Sequence, residues 1–183
     1  MDFYQVIINR VSNKTFQSTP IPKEKLNRMI NSALLAPSWK NKTCYRFVFV
    51  DDPNQKDLLS KTILNSTKEA TQGIKQAPIL AVIVADPTQS GYVEDKSYYM
   101  VDCGIAMEHL VLAATNEGYG SCWIGSFDED KIRSILDVPE TFKIVAMTPI
   151  GETDEKIEHY PPKNFSEHIY FNSLENRDSS DRN

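Results

Sequence analysis

Apolar positions along the chain change period several times, and each change marks an element. In DFYQVIIN (2–9), Phe3, Val6 and Ile7 follow mostly helical spacing, and Pro20 and Pro22 punctuate what comes after. Leu26, Met29, Ile30, Ala33 and Leu34 recur at i, i+3, i+4, i+7 and i+8 with Lys23, Lys25 and Arg28 near or between them, which predicts an amphipathic helix. It is expected to stop at Ala36, because Pro37 pushes the preceding residue out of the helical region. YRFVFV (45–50) alternates aromatic and β-branched residues and reads as a strand closed by DDPN, and residues 54–75 read as mainly helical and polar.

PILAVIVA (78–85) is apolar without a break at strand length, which places it in the middle of a sheet covered on both faces. YYMVDCGIAMEHLVLAATNEG is apolar nearly all round and ends at Gly118, as expected of a buried core helix with a glycine C-cap. GSCWIG (120–125) predicts a short strand, SFDEDKIRSIL a helix opened by Ser126 and Glu129 at capping-box spacing, and FKIVAMTPIG (142–151) the last internal strand. From Tyr160 the chain is extended and aromatic in PPKNFSEHIYFN, and the polar tail 173–183 is expected to be disordered. The order predicts an α/β or α+β sandwich, helices on a small sheet, in one domain over residues 1–172.

Composition narrows the partners. Twenty Lys and Arg against 25 Asp and Glu give a net charge of -5, which argues against general attraction to nucleic acid or anionic membranes. No 18-residue apolar span is present, and residues 1–20 lack the features of a secretory signal, so the expected address is the cytoplasm. Cys44, Cys103 and Cys122 form no CxxC pair, as suits reduced thiols, and His109, His159 and His168 lack metal-ligand spacing. Neither GxGxxG after a strand nor GxxxxGK[ST] occurs, so a phosphate-bearing ligand needs another cradle.

Three segments could supply one. In RVSNK, Arg10, Ser12 and Lys14 fall on one face if the chain is extended, and two cations with a hydroxyl make an anion site. A solvated surface with cations at a helix C-terminus is the other reading of the same residues. APSWKN (36–41) is ordinary turn chemistry, yet Asn41 offers both donor and acceptor and Trp39 a flat apolar wall. GYGSCWIGSF (118–127) has small residues that let backbone approach a ligand, or it is a tight turn before a capped helix. A full capping box would occupy the Ser126 N–H; otherwise Asp128 caps, or a ligand uses Gly125.

Taken in order, RVSNKTF, LLAPSWKNKTCYRFVFV, YYMVDCGIAMEHLVLAATNEGYGSCWIGSF, VAMTPIGE and PPKNFSEHIYFN resemble the FMN-dependent nitroreductase family, particularly its short single-domain members, from about Asp2 to Asn172. The resemblance implies an α+β sandwich with a small mixed, largely antiparallel sheet, an intertwined homodimer, two FMN sites at the subunit interface and C-terminal extensions, here from about residue 160, reaching over the partner. It implies that Arg10 and Ser12 hold the FMN phosphate, that Lys14 lies near the ribityl chain and the pyrimidine edge, and that Lys163 is the C-terminal phosphate cation in place of the commoner arginine. Pro37, Ser38, Trp39 and Asn41 match the loop that meets the other subunit's flavin. Trp123, Ile124, Gly125 and Ser126 match the segment against the ring, whose backbone N–H groups point at N5 and O4, and Asn65 and Lys68 are candidates for a further ring contact.

The implied chemistry is ping-pong: NADH or NADPH reduces the flavin and leaves, and a nitroaromatic, quinone or related small acceptor then takes the electrons. The cofactor carries that reaction, so no catalytic triad is required. A cation at the pyrimidine edge favours the anionic reduced flavin, which gives Lys14 a way to tune the potential. The same fold could instead host flavin fragmentation or reductive dehalogenation, or a non-enzymatic flavin-binding redox sensor. The short segment 86–99 suggests an open site that Tyr92 could line, and Cys122 reads as a small buried apolar residue.

Overall fold

The computed structural model describes residues 1–65, 68–160, 164 and 167–175. Helix α1 (Phe3–Asn9) is capped by the Asp2 carboxylate, which accepts from the Gln5 N–H. Helix α2 (Lys23–Leu34) ends in a C-cap at Leu35, just before the proline-restricted Ala36, and a short turn (Trp39–Asn41) leads into β1 (Tyr45–Val50). The region expected to be one polar helix is two, α3 (Pro53–Ser60) and α4 (Glu69–Gln76). Ile63 interrupts them because it bridges to Phe127 instead of continuing a helix.

Strand β2 (Ile79–Ala85) is buried along its whole length, as its unbroken apolar run predicts. A hairpin of β3 (Tyr92–Val93) and β4 (Lys96–Ser97) follows, with Glu94 and Asp95 at φ 48° and 64° in its turn. Then come α5 (Tyr98–Asn116), β5 (Gly120–Ser121), α6 (Glu129–Leu136) and β6 (Lys143–Gly151). The main sheet runs β1-β2-β6-β5 with every strand pair antiparallel, and an isolated parallel bridge from Ser12 to Ser121 adds the extended segment after α1 to its edge.

The side-chain alternation of β2 sorts the core into two layers. Ala81, Ile83 and Ala85 face α2 and α5, meeting Met29, Ala33, Met107 and Leu110. Leu80, Val82 and Val84 face the other way, against Leu59, Ile74 and Ile132 of α3, α4 and α6. Small residues on the first face let α5 lie close to the sheet. The long helix nevertheless departs from the expectation of burial all round. Met100 and Val101 are 49% and 51% exposed, so one apolar stripe of α5 is open to solvent.

Asp102 of α5 ties the layers to the loops. Its carboxylate, only 3% exposed, accepts from the Trp39 N–H at 2.8 Å, the Ser90 hydroxyl at 2.8 Å and the Cys44 thiol at 3.3 Å. Burial pushes the Cys44 thiol up to about 11, with the hydrogen bond to Asp102 adding to the shift. Replacing Leu110, fully buried, by Ala should therefore cost about 2–5 kcal/mol in urea unfolding. Asp102→Ala should cost roughly 2–4 kcal/mol by stranding buried donors, with Asp102→Asn milder, and protease cleavage near Trp39 should rise in both.

Candidate functional site

The segment after α1 is extended and pinned to the sheet edge: the Asn13 N–H donates to the Ser121 carbonyl at 2.9 Å and the Gln17 N–H to that of Glu152 at 2.8 Å. Asn13 and Phe16 are buried, whereas Ser12 and Lys14 are exposed and Arg10 is half-buried. Exposure alternates over Ser12, Asn13 and Lys14, but Arg10 and Val11 are both half-buried and do not continue the pattern. Asn13, Lys14 and Phe16 form one wall of a cavity of about 270 Å³. Asn65, Glu69, Ala70 and Gly73 form a second, and Cys122, Trp123, Ile124, Gly125, Ser126 and Pro149 complete it.

Where β5 stops after Ser121, the chain runs along this cavity without a regular partner. The strand expected over 120–125 is cut short because only Ile124 re-pairs, exchanging hydrogen bonds with Met147 at 2.8 and 2.9 Å. That commits the Ile124 N–H to the sheet and removes it from the set of amides expected to face a ligand. The Gly125 and Ser126 N–H groups have no hydrogen-bond partner among the described residues. A Cβ built on Gly125 would meet nothing within 4 Å, so this glycine borders open space.

The Ser126 and Glu129 capping box does not form. Asp128 caps α6 by accepting from the Lys131 N–H at 3.2 Å, while Glu129 accepts from Arg133 at 2.7 Å and from the Ile144 N–H at 3.2 Å. The carboxylate nearest the helix start wins the cap, and Ser126 is left on the cavity wall. Its carbonyl accepts from the Leu64 N–H at 3.1 Å, and the Ile124 carbonyl accepts from the Met147 N–H at 2.9 Å, so the trans peptide after Ile124 turns the Gly125 N–H away from the sheet.

Charges gather at one end. The Lys14 ammonium donates to the Glu69 carboxylate, and that hydrogen bond raises its pKa, keeping it protonated. The Lys14 backbone N–H donates to Glu155 at 2.7 Å. Burial raises the Cys122 thiol, with Glu155 and Glu69 adding to the shift and Lys14 and Arg10 opposing it. Lys14 lines the cavity, whereas Arg10 and Ser12 do not. The Arg10 guanidinium has a loose ion pair with Glu108 at 3.9 Å.

Pro37, Ser38, Trp39 and Asn41 do not line this cavity. They form a separate loop, with Lys40, Asn41 and Thr43 at φ 48°, 56° and 48°, in which the Ser38 hydroxyl accepts from the Thr43 N–H at 2.9 Å. The Trp39 indole packs on Tyr98 with ring centroids 4.5 Å apart and crosses Gly91, where a Cβ would come within 2.3 Å of it. Lys163 lies outside the described residues. Of the two contacts proposed from the polar region, Asn65 lines the cavity and Lys68 does not. Sequence reading missed Glu69, Asn13, Phe16 and Gly73, whose approach depends on which helix face meets the 10–17 segment.

Apolar walls from Phe16, Ala70, Ile124 and Pro149, a Trp123 side chain 38% exposed, a cation and two free amides suit a flat ligand with a polar edge. The described lining residues pair no nucleophile with a base. A model of the Nitroreductase family matches residues 7–77 and 65–152. Among solved structures, a nitroreductase family protein from Clostridium novyi NT is 41% identical with a TM-score of 0.83, covering 97% of each chain. An FMN-dependent nitroreductase from Clostridium difficile R20291 is 28% identical, TM-score 0.80, over 93% of this chain and 99% of that one. Among curated relatives, an Archaeoglobus fulgidus protein named for an inferred NADH dehydrogenase/NAD(P)H nitroreductase activity is 27% identical over 85% of this chain and 88% of its own. A 5,6-dimethylbenzimidazole synthase from Rhodospirillum rubrum is 31% identical over 74% of each. The chain belongs to the nitroreductase family of oxidoreductases.

Proposed function

We propose that the chain binds FMN in this cavity and moves electrons from NADH or NADPH to a small acceptor such as a nitroaromatic or quinone. The observation that carries the reading is the convergence on one cavity of Lys14, the Gly125 and Ser126 amides, unpaired among the described residues, and open space at Gly125. When bound, FMN would supply the redox chemistry, accepting two electrons from a nicotinamide and passing them on. The protein's part is orientation. The Gly125 and Ser126 N–H groups would donate to acceptors on the ring, Trp123 and Ile124 would cover it, and Asn65 would add an amide contact. Lys14 would stand at the pyrimidine edge, while Arg10 and Ser12, with Lys163, would take the phosphate.

At about 270 Å³ the cavity is slightly smaller than most ligand sites, as half of a shared site would be. The missing half is proposed to come from a second copy. Phe3, Tyr4, Ile7 and Ile8 of α1 and Met100 and Val101 of α5 leave apolar side chains in solvent, on two helices that pack together. A homodimer formed on that surface would bring Pro37, Ser38, Trp39 and Asn41 of one copy toward the flavin of the other. Asp102 anchors that loop through the Trp39 N–H, and Lys40, Asn41 and Thr43 hold left-handed φ within it.

The synthase among the relatives favours one second reading, in which reduced flavin is fragmented rather than recycled. A recycled cofactor regains its visible spectrum after each turnover with a quinone; a consumed one does not.

For the Arg10→Ala variant, equilibrium titration should give FMN binding weaker by about 10–100-fold, the scale of one charge-assisted hydrogen bond, with an unchanged far-UV spectrum. Unchanged affinity would contradict the phosphate assignment. Val101→Arg should convert the dimer to monomer in analytical ultracentrifugation and release FMN with it. A monomeric wild-type chain that still holds FMN would overturn the shared site.

A further inference from the structure

We propose that Glu69 is a positioning residue that sets the reduction potential of the bound flavin by holding the Lys14 ammonium. This inference rests on the FMN reading given above. Glu69 is the first residue of α4, where the helix N-terminus favours a carboxylate, and it lies on the cavity wall facing Lys14. One turn further along, Gly73 lets α4 press against the segment that carries Lys14. A Cβ there would come to 3.0 Å from the Lys14 carbonyl oxygen and 3.2 Å from the Phe16 ring. Backbone packing therefore holds the segment that carries Lys14 close to α4, within reach of the Glu69 side chain.

Among the described residues, Lys14 is the cation that pairs with Glu69. Glu155, the other carboxylate at Lys14, accepts from its backbone N–H and leaves the ammonium to Glu69. Both members of the pair are about half-exposed, at 49% and 54%, so the pair adds little to stability. Its consequence is electrostatic. Reduction adds negative charge to the flavin, and a lone ammonium beside the ring favours that state. A carboxylate bonded to the same ammonium cancels much of its field and restrains where it points. Glu69 thus keeps the bound flavin a stronger reductant than Lys14 alone would allow.

The test compares wild type, Glu69→Gln, Lys14→Met and the double variant, each reconstituted with FMN. The readouts are the midpoint potential, from anaerobic titration against a reference dye, and the FMN affinity. Glu69→Gln should raise the preference for reduced over oxidised FMN by about tenfold, a shift of roughly 30 mV upward for a two-electron couple. Lys14→Met should shift it downward, and adding Glu69→Gln to Lys14→Met should move it little, because the carboxylate acts through the ammonium. An unchanged potential in FMN-loaded Glu69→Gln, or the same upward shift without Lys14, would overturn the proposal while leaving the FMN reading standing. A wild-type chain that takes up no FMN would remove the FMN reading and this inference together.

Discussion

Strand β2 has no face turned to water, and much of the fold follows from that constraint. A strand buried on both sides needs a helical layer on each, and its alternation allots Ala81, Ile83 and Ala85 to one layer and Leu80, Val82 and Val84 to the other. The small residues draw α5 close. That helix ends at Asn116, and Gly118 just beyond its cap, with a φ of 88°, turns the chain back into β5 at the sheet edge. The site is built where this edge strand runs out.

Two residues of β5 are too few to satisfy the backbone that follows. Ile124 recovers a partner in Met147, while the Gly125 and Ser126 N–H groups have none among the described residues. Gly125 is exposed and Ser126 half-buried, so water can take these amides, and a ligand in the cavity would have to replace that water with acceptors of its own. The extended segment 10–17 closes the same edge from the other side and brings Lys14 to the cavity. Binding and folding thus share one feature: the sheet ends early, and the ligand would complete it.

Elements with a strong period were legible in the chain. YRFVFV and the unbroken run through Ala85 became strands, and the spacing of Leu26, Met29 and Ala33 became α2. What escaped depended on competition or on a third dimension. Ser126 and Asp128 both stand within reach of the α6 start, and only the fold decides that Asp128 takes the cap. Composition cannot separate the buried from the open stripe of α5, since both are apolar. In the site, the cation pattern of RVSNK pointed to Lys14 and the small residues to Gly125, but Arg10 and Ser12 of the same pattern stay off the cavity wall, and Glu69 is an ordinary polar residue until α4 is packed against the 10–17 segment.

The visible spectrum of the FMN-reconstituted protein, followed without oxygen as NADH and then NADPH is added, bears most directly on the claim that this cavity holds a working flavin. The account predicts a bound-flavin spectrum that bleaches with a nicotinamide and returns when a quinone or nitroaromatic is supplied. A protein that binds FMN and is reduced by neither nicotinamide would contradict it, as would one that binds no FMN at all.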